Sequence, residues 1–522
     1  MPDSTPGKRS LPDRYGPQDS ISPDALESGL KWLQRNAVLG KIMNTLTVGA
    51  FLTAFAVQIG ASNAVIGVLA AVPQLGNVGQ LLGVYLIERL RVRRAICIGF
   101  GMVVRPMLLM IAAAVLIPSQ TVALVVLVCA LAIRYLLGSV MLCSWNSWLR
   151  DLVPDDKRAG FLARNLRATT FFGMLISLAA AGFIDGWRTW HIADPKFAYS
   201  LIFFAAFVIG CVNVYTLTRI PEPRMAVPKE KFNLFKVLKR PIADLQYRQA
   251  LIFFGSWNFA INLATPFFTV HMLKRLDLDL MTVILFAVIS QTANILALPQ
   301  WGKLIERYSC KAVLSVCAPA FLLCILAWTL TTYPDRYVLT LPILFMIHVV
   351  TGMATAGVAV ASSNLVMKMA PRGEATAYLS ANSLVNSLAS GVAPVIGGLL
   401  ADFFLSRGFS VLFYWETPQA GIMIEAVRIQ EWDFFFIFAA VLGLYSLHRL
   451  TVVQEEGTVK EGPVLVEFML AARDNLRTLS TVAGLFAVSD FRFDFKRLRR
   501  KRRRRSKTSR APASTGGSPL QG

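Results

Sequence analysis

Long apolar runs alternate with short polar connections along most of the chain. Twelve segments are apolar over about 20 residues, the length that a helix needs to cross the ~30 Å hydrocarbon core of a bilayer. They lie at about 39–60, 63–87, 95–117, 121–148, 166–186, 198–218, 249–272, 279–305, 312–332, 338–366, 376–404 and 433–450. A longer polar stretch separates the sixth segment from the seventh. The pattern therefore predicts twelve transmembrane helices in two groups of six.

The composition excludes several other classes of protein. Hydrophobic residues make up 55% of the 522 residues and charged residues 16%, against about 25% charged residues in soluble domains. Disordered chains lack this much apolar mass. Six of the seven cysteines lie in apolar runs and the four histidines are scattered, so we expect neither a disulfide framework nor a metal site. The phosphate-binding sequence Gly-x-x-x-x-Gly-Lys-Ser/Thr is missing, so we expect no cofactor and no ATP hydrolysis.

The net charge of +22 is unevenly distributed. Most lysines and arginines outside the C-terminal tail lie in the even-numbered connections between spans, which predicts that both termini are cytoplasmic. We therefore expect a multi-pass protein of the cell membrane. The predicted organisation is an N-terminal cytoplasmic tail (1–38), a first bundle (39–218), a cytoplasmic linker (219–248), a second bundle (249–450) and a C-terminal cytoplasmic tail (451–522).

The two halves of the chain resemble each other. Leu86-Ile87-Glu88-Arg89 recurs 218 residues later as Leu304-Ile305-Glu306-Arg307. Other matching residues are 217 apart, namely Gln74 and Gln291, Asn77 and Asn294, Phe161 and Tyr378, and Asp185 and Asp402. Repeated matches at corresponding places predict a duplicated six-helix unit. Duplicated halves of this kind are typical of alternating-access transporters.

Two segments at corresponding places of the repeat combine an acidic and a basic residue with further basic residues. They are Val84-Tyr-Leu-Ile-Glu88-Arg89-Leu-Arg-Val-Arg93-Arg94 and Gly302-Lys-Leu-Ile-Glu306-Arg307-Tyr-Ser-Cys-Lys311. They resemble the sequence Gly-x-x-x-Asp-Arg/Lys-x-Gly-Arg-Arg/Lys, which the major facilitator superfamily carries after its second helix, with a degenerate copy after its eighth. The resemblance to this family covers about residues 39–450. Further similar elements are Arg134-x-x-x-Gly138, Pro221-Glu222-Pro223 and the stretch from Trp145 to Pro154, which resembles a bacterial branch with mostly unassigned substrates. The resemblance implies an all-α integral membrane protein with twelve transmembrane helices in two pseudo-symmetric six-helix bundles.

The resemblance also implies that helices 1, 4, 7 and 10 line a central cavity. The candidate substrate-binding residues on these helices are Asn44, Arg134, Trp257, Asn258, Asn262, His348 and Thr351. The amides among them can equally join neighbouring helices. His348 can be a proton carrier, a substrate contact or a neutral histidine bonded to a neighbouring helix.

Two arginines lie deep in predicted spans, where a charge costs several kcal/mol. Arg105 and Arg134 are each about 15 Å from the nearer end of their spans, at 1.5 Å per residue. Aspartate and glutamate are missing from the middle of all twelve spans. We therefore expect the substrate to supply negative charge, as a carboxylate or a phosphate that fits the arginine fork. Arg105 precedes Pro106, which leaves a backbone carbonyl without its helical partner, and we interpret Arg105 as a structural charge.

The charged residues at the cytoplasmic helix ends are candidates for a latch. Glu88 and Arg89, facing Asp151 and Arg164, can form charge-assisted bonds between the bundles in an outward-facing state and lose them in the other state. Glu306 and Arg307 would act in the same way in the second half. The alternative is that these charges only anchor the loops and cap helices.

The C-terminal tail carries two further features. Residues 463–487 have an apolar stripe at helical spacing, which predicts an amphipathic helix in the membrane interface. The segment between Asp490 and Arg510 holds twelve basic residues against two aspartates. We expect it to bind anionic lipid headgroups; nucleic acid is the less favoured partner. We expect the protein to be a monomer.

The sequence favours a secondary active or facilitative transporter of a small solute, and no enzyme. One alternative is a non-transporting receptor or assembly factor on the same fold that acts through its basic tail. A membrane-embedded transferase is less favoured, because no nucleophile paired with a base is evident at membrane depth. Fold alone does not separate these functions, and the sequence indicates neither the substrate nor the direction of transport.

Overall fold

A computed structural model describes residues 17–19, 21–225, 240–332, 336–371, 375–416, 421–430 and 432–455. Within these residues, twelve helices are long and apolar enough to span a membrane. They are α1 (Pro23–Ile59), α2 (Asn63–Leu90), α3 (Arg93–Leu116), α4 (Gln120–Leu152), α5 (Asp155–Thr189), α6 (Pro195–Leu217), α7 (Leu245–Arg275), α8 (Leu280–Arg307), α9 (Cys310–Thr331), α10 (Thr340–Met369), α11 (Ala375–Phe404) and α12 (Trp432–Val452). The twelve predicted helices are thereby confirmed.

Several predicted features lie outside the described residues. They include the N-terminal tail up to residue 16, residues 226–239 of the linker and everything beyond residue 455. The amphipathic helix and the lipid-binding basic segment therefore stay predictions. The first helix begins earlier than its apolar run suggests: Ser22 caps its N-terminus and Pro23 occupies the first turn, where a missing amide costs nothing.

The helices pack in two equivalent halves. In the first half α1 packs on α5 and α6, and α3 and α4 pack on each other. In the second half α7 packs on α11 and α12, and α9 and α10 pack on each other. The halves meet through two equivalent pairs, α2 with α11 and α5 with α8. The duplication inferred from the sequence therefore extends to the packing of the helices.

Two helices of the first half are interrupted, which the sequence analysis did not predict. Helix α1 breaks after Thr47, and Gly49 adopts a φ of 65° that favours glycine. Its second segment, Ala50–Ile59, starts there. Helix α2 breaks at Asn77, whose amide bonds the carbonyl of Gln74 three residues back. Both breaks lie near the middle of the helices concerned.

A β-hairpin, which the sequence pattern did not indicate, connects α11 to α12. Strand β1 (Gly408–Glu416) pairs antiparallel with β2 (Gly421–Gln430), from Gly408 opposite Gln430 to Glu416 opposite Gly421. The register shifts between Val411 and Leu412. The hairpin makes this connection much longer than its counterpart between α5 and α6, and it contains the only two paired strands among the described residues.

Two carboxylates, the internal caps Glu222 and Glu455, each close the start of a helix in their own half. They lie at the terminal face, by which we mean the face where α1 begins. Glu222, after α6, accepts hydrogen bonds from the amides of Arg93 (2.6 Å) and Arg94 (3.2 Å) at the start of α3. Glu455, after α12, accepts bonds from the amides of Cys310 (3.2 Å) and Lys311 (2.8 Å) at the start of α9. The two amide pairs are 217 residues apart.

The pKa values of the internal caps shift in opposite directions. Burial raises the pKa of Glu222, although the amides and charges of Arg93 and Arg94 oppose this. Burial also acts to raise the pKa of Glu455, but hydrogen bonds from Lys368 and from the amides of Lys311 and Cys310 outweigh it and lower this pKa. The Lys368 ammonium lies 2.9 Å from the Glu455 carboxylate. The charged form of Glu455 is therefore favoured by folding.

We predict that Glu455→Gln lowers the thermal stability of the protein in detergent at neutral pH. The loss should be about 1–3 kcal/mol, typical of hydrogen bonds to a charged group. Because folding lowers the pKa of Glu455, the stabilisation is present above the pKa of the unfolded state and is lost as the pH falls through the lower folded pKa. Melting curves at pH values from neutral to about 4, near the ordinary pKa of glutamate, should show the two proteins converging. Glu306→Gln, an exposed carboxylate at the same face, is the control, and a pH-independent loss would contradict the prediction.

Candidate substrate cavity

The first half encloses a polar cavity of about 630 Å³. All six helices of this half line it, and the interruption of α2 at Asn77 borders it. A second cavity, of about 490 Å³, lies between α1, α5 and α8 and shares Lys41 and Asn44 with the first. The polar or charged side chains around the first cavity are Asn36, Lys41, Asn44, Gln74, Asn77, Arg105, Arg134, Tyr135, Ser139, Trp145, Thr169 and Asn213.

Arg134 lies at the interruption of α1. It is only 4% exposed, and its Nη2 donates hydrogen bonds to Asn44 Oδ1 and to Thr47 Oγ1, both at 2.9 Å. The guanidinium carbon lies 5.0 Å from the ring centre of Tyr135. Nη1 has no hydrogen-bond partner among the described residues. The arginine fork is thus held on one side and unsatisfied on the other.

Arg105 is bonded on both sides. Its Nε donates to the carbonyl of Gly210 at 3.2 Å, and its Nη2 donates to Asn213 Oδ1 at 2.9 Å. Asn213 in turn donates to the carbonyl of Asn36 at 2.8 Å. The Arg105 side chain therefore joins α3 to α6, and the asparagines extend the network to α1. These contacts agree with the structural interpretation of this charge.

The charge of the cavities is positive. Lys41, Arg105 and Arg134 line the first cavity, and among the described residues no aspartate or glutamate lines either cavity. Lys41 is a cavity residue that was not among the sequence-based candidates, because it lies close to the predicted start of the first span. It is three residues from Asn44, and this spacing places both side chains on one face of a helix.

The candidate residues of α7 make other contacts. Trp257 is buried against Phe321, with ring centres 5.9 Å apart. Asn258 donates to Asn386 Oδ1 at 3.1 Å, and Asn262 donates to Ser390 Oγ at 3.1 Å, both on α11. None of the three lines either cavity. In this conformation the two asparagines join helices of the second half, and their proposed substrate contacts stay predictions.

The candidate residues of α10 lie in aromatic surroundings. His348 Nδ1 is 2.8 Å from the carbonyl of Leu344, and its ring stacks on Phe286 with centres 5.0 Å apart. Thr351 lies three residues further along, and neither residue lines the two cavities. His271, which the sequence analysis did not single out, is buried and its Nε2 lies 3.0 Å from Thr331 Oγ1. The second half is therefore much less charged inside than the first.

The latch proposed from the sequence is not assembled in this conformation. Asp151 pairs with Arg93 on α3, within the first half. Arg89 donates to the hydroxyl of Tyr85 at 2.8 Å, and Arg307 lies over the ring of Tyr308 at 5.4 Å. The remaining latch candidates form no hydrogen bond or ion pair with other described residues; they are Glu88, Arg164 and Glu306.

The halves are instead joined at the face opposite the terminal face by two carboxylates, which we name the crossing caps. Asp402 at the end of α11 accepts hydrogen bonds from the amides of Asn63 (3.0 Å) and Ala64 (2.8 Å) at the start of α2. Asp185 at the end of α5 accepts a bond from the amide of Met281 (2.6 Å) at the start of α8. Both the aspartates and their target amides are related by the 217-residue repeat.

Close packing accompanies the crossing caps. A Cβ added at Gly67 of α2 would lie 2.1 Å from the carbonyl oxygen of Pro394 in α11, so the two backbones touch. Lys274 also reaches the carbonyl of Ala61 in the other half, at 3.5 Å. These contacts all lie towards the opposite face, whereas the first cavity extends to Asn36 and Trp145 in the terminal-face parts of α1 and α4.

Twelve spanning helices, duplicated halves and a polar cavity within the membrane are features of membrane transport proteins. The family model of the Major Facilitator Superfamily matches residues 37–394, and the chain belongs to this family. It is accordingly a multi-pass membrane protein of a transporter family. No curated protein sequence matches the chain.

Solved structures share the fold at low sequence identity. The nucleoside transporter NupG has 13% identity and a TM-score of 0.59, with 81% of this chain and 98% of that chain covered. The xylose transporter XylE from E. coli in an inward open conformation has 15% identity and a TM-score of 0.55, with 83% and 98% covered. A bacterial homologue of the iron transporter ferroportin in an inward-facing state has 11% identity and a TM-score of 0.58, with 83% and 99% covered. At such identities the likeness concerns the fold alone.

We predict that Arg105→Gln destabilises the ligand-free protein more than Arg134→Gln does. The first change removes two hydrogen bonds and leaves Asn213 Oδ1 without its donor, at a cost of about 1–3 kcal/mol. The second also removes two bonds, but it relieves a buried charge that is only partly satisfied, which offsets the loss. Melting temperatures in detergent without added solute compare the two. Equal losses, or a greater loss for Arg134→Gln, would show that the roles are assigned wrongly.

Proposed function

We propose that this protein moves a small anionic solute across the membrane by alternating access. The observation that carries the proposal is the buried Arg134, whose Nη1 is unsatisfied in a cavity without a carboxylate among the residues that line it. A guanidinium at this depth is costly unless an anion joins it. A carboxylate or a phosphate of the solute offers that partner and matches the planar fork of arginine.

The surroundings of Arg134 favour a binding role over a packing role. Asn44 and Thr47 hold Nη2, so the orientation of the guanidinium is set before a solute arrives. The interruption of α1 lies immediately beyond Thr47. In transporters with duplicated halves, interrupted helices near the membrane midplane commonly form the substrate site. A donor whose orientation is already fixed loses less conformational entropy when it binds an anion.

The distribution of contacts supports an inward-facing state. The positive-inside pattern of the loops assigns the terminal face to the cytoplasm. On that assignment the crossing caps close the outer side, and the cavity extends towards the cytoplasm. XylE and the ferroportin homologue, which share the fold, are described in inward open or inward-facing states. The solute would therefore exchange with the cytoplasm in this conformation.

The opposite state requires the crossing caps to break. Opening the outer side separates α2 from α11 and α5 from α8, so Asp185 and Asp402 lose their amide partners. The cytoplasmic ends then approach each other, and a latch formed by charged side chains can replace the lost bonds. The residues we propose for that latch are Glu88, Arg89, Asp151, Arg164, Glu306 and Arg307.

We predict that purified protein in liposomes takes up a small organic anion and that Arg134→Gln reduces this uptake at least tenfold. The expected reduction follows because one charge-assisted hydrogen bond contributes about 1.5–3 kcal/mol. Uptake of radiolabelled anionic, neutral and cationic metabolites would be measured in parallel, with empty liposomes as the blank. If a neutral or cationic solute is taken up and Arg134→Gln does not change that uptake, the proposed anion specificity is refuted. If no solute is taken up, transport of the solutes tested is refuted.

We predict that replacing both crossing caps, Asp185→Ala with Asp402→Ala, opens the outer side. Each cap contributes about 1 kcal/mol, so each replacement should shift the balance of states about fivefold. Spin labels at Ser62 and Arg407, one on each half at the outer face, report the opening as a longer distance by electron paramagnetic resonance. Asp194→Ala is the matched control, because Asp194 caps α6 at the same face within its own half. Unchanged distances in the double variant would show that the crossing caps do not hold the outer side closed.

A further inference from the structure

Lys41 belongs to the same binding region as Arg134. It lies three residues before Asn44 on α1, one helical turn or about 4.5 Å along the axis, and both residues line both cavities. Its side chain is exposed to the cavities and forms no hydrogen bond or ion pair with other described residues. A Cβ at Gly173 of α5 would lie 2.9 Å from Lys41 Cε. The glycine therefore leaves the space in which the lysine stem lies.

The interrupted helix adds a third positive element. The segment Ala50–Ile59 begins at Gly49 without a side-chain cap on its first amides. Val48, Gly49, Ala50 and Phe51 line the second cavity next to Lys41 and Asn44. The start of a helix carries a partial positive charge and unpaired amides that favour an anion. Arg134 provides separate support for an anion site. It is buried, borders the first cavity and has an Nη1 without a hydrogen-bond partner among the described residues.

The charges around the cavities exceed what a single negative charge balances. Arg105 is satisfied by Gly210 and Asn213, which leaves Arg134 and Lys41 as two cations without an anion among the described residues. Once the cavity closes around a solute with one negative charge, one of these two cations would stay uncompensated within the membrane, where an unpaired charge is costly. A solute with two negative charges neutralises both.

We propose that the solute is a compact dianion, either a dicarboxylate or a phosphate monoester. One carboxylate, or one oxygen of the phosphate, binds Nη1 of Arg134. The second carboxylate, or another oxygen of the same phosphate, binds Nζ of Lys41, close to the start of the segment Ala50–Ile59. Lys41 is then the residue that selects dianions over monoanions, whereas Arg134 is needed for both. This inference rests on the proposed function for the relevance of the cavity, but it concerns binding and can be tested without transport.

The test compares probes that differ by one charge. The dicarboxylate pair is succinate and its monoamide succinamate. The phosphate pair is methyl phosphate and dimethyl phosphate, at about pH 8 so that the monoester, with a second pKa near 6, carries two charges. The melting temperature of the full chain in detergent is measured against each probe at millimolar concentrations, because a ligand that binds the folded state raises it. The pair that shows the larger shift identifies the kind of dianion.

Substitutions of Lys41 and Arg134 distinguish the roles of these two residues in binding. In the unmodified protein one dianion should raise the melting temperature more than its monoanionic partner. Lys41→Gln should weaken dianion binding about tenfold, equivalent to about 1.4 kcal/mol, and bring it to the level of the monoanion. Arg134→Gln should abolish both responses. Lys31→Gln is the matched control on the same helix, where Lys31 pairs with Glu27 at the surface. Melting temperatures without probe establish that each variant is folded.

The outcomes distinguish this inference from the proposed function. Equal responses to both members of each pair, no response to any of the four probes, or a dianion preference that survives Lys41→Gln would overturn the inference. If a dianion binds through Lys41 but is not taken up into liposomes, the inference stands and the proposed transport of that solute fails. If a monoanion is taken up in an Arg134-dependent manner and dianions do not bind, the transport proposal stands and the inference fails.

Discussion

An amide at the start of a transmembrane helix needs a hydrogen-bond acceptor, and four helices of this protein take theirs from a carboxylate far away in the sequence. The first amides of a helix have no partner within it, and a carboxylate that accepts their hydrogen bonds stabilises the start of the helix. Each cap also places a negative charge at the positive end of a helix. The four pairs are Glu222 with α3, Glu455 with α9, Asp402 with α2 and Asp185 with α8. These bonds fix which helices are neighbours.

The same interaction has two consequences that depend on where the carboxylate comes from. Each internal cap connects the third helix of one half to the residues after its sixth helix, so it stays intact if that half moves as a rigid body. The crossing caps connect the two halves and lie towards one face, so the rocking motion of the proposed mechanism would break them first. A single hydrogen bond is strong enough to favour one state and weak enough to break in such a motion. In the proposed mechanism the breakable contacts therefore lie where a change of access requires them.

The sequence alone predicts the spans and the duplication well, because both depend on local features. Apolar length determines a span, and the repeat is visible in matching residues. The repeat also relates Asp185 to Asp402. The sequence does not show that these two carboxylates accept hydrogen bonds from the amides of Met281 and Asn63, because those contacts depend on how the halves meet. The sequence does not show the break of α1 at Gly49 either, because a single glycine in an apolar run is compatible with a continuous helix.

The symmetry of the fold does not extend to the charges of the cavity. The residues 217 positions after Arg105 and Arg134 are Leu322 and Thr351, and the counterpart of Thr47 is Ala264. The caps recur because the two halves share one six-helix unit, and in the proposed mechanism both crossing caps break together. The proposed cations bind one solute in a single place, so a second set would add uncompensated charge within the membrane without adding a ligand. On this proposal the duplicated features belong to the fold and its motion, and the unduplicated ones, Lys41 and Arg134, are the features that the solute matches.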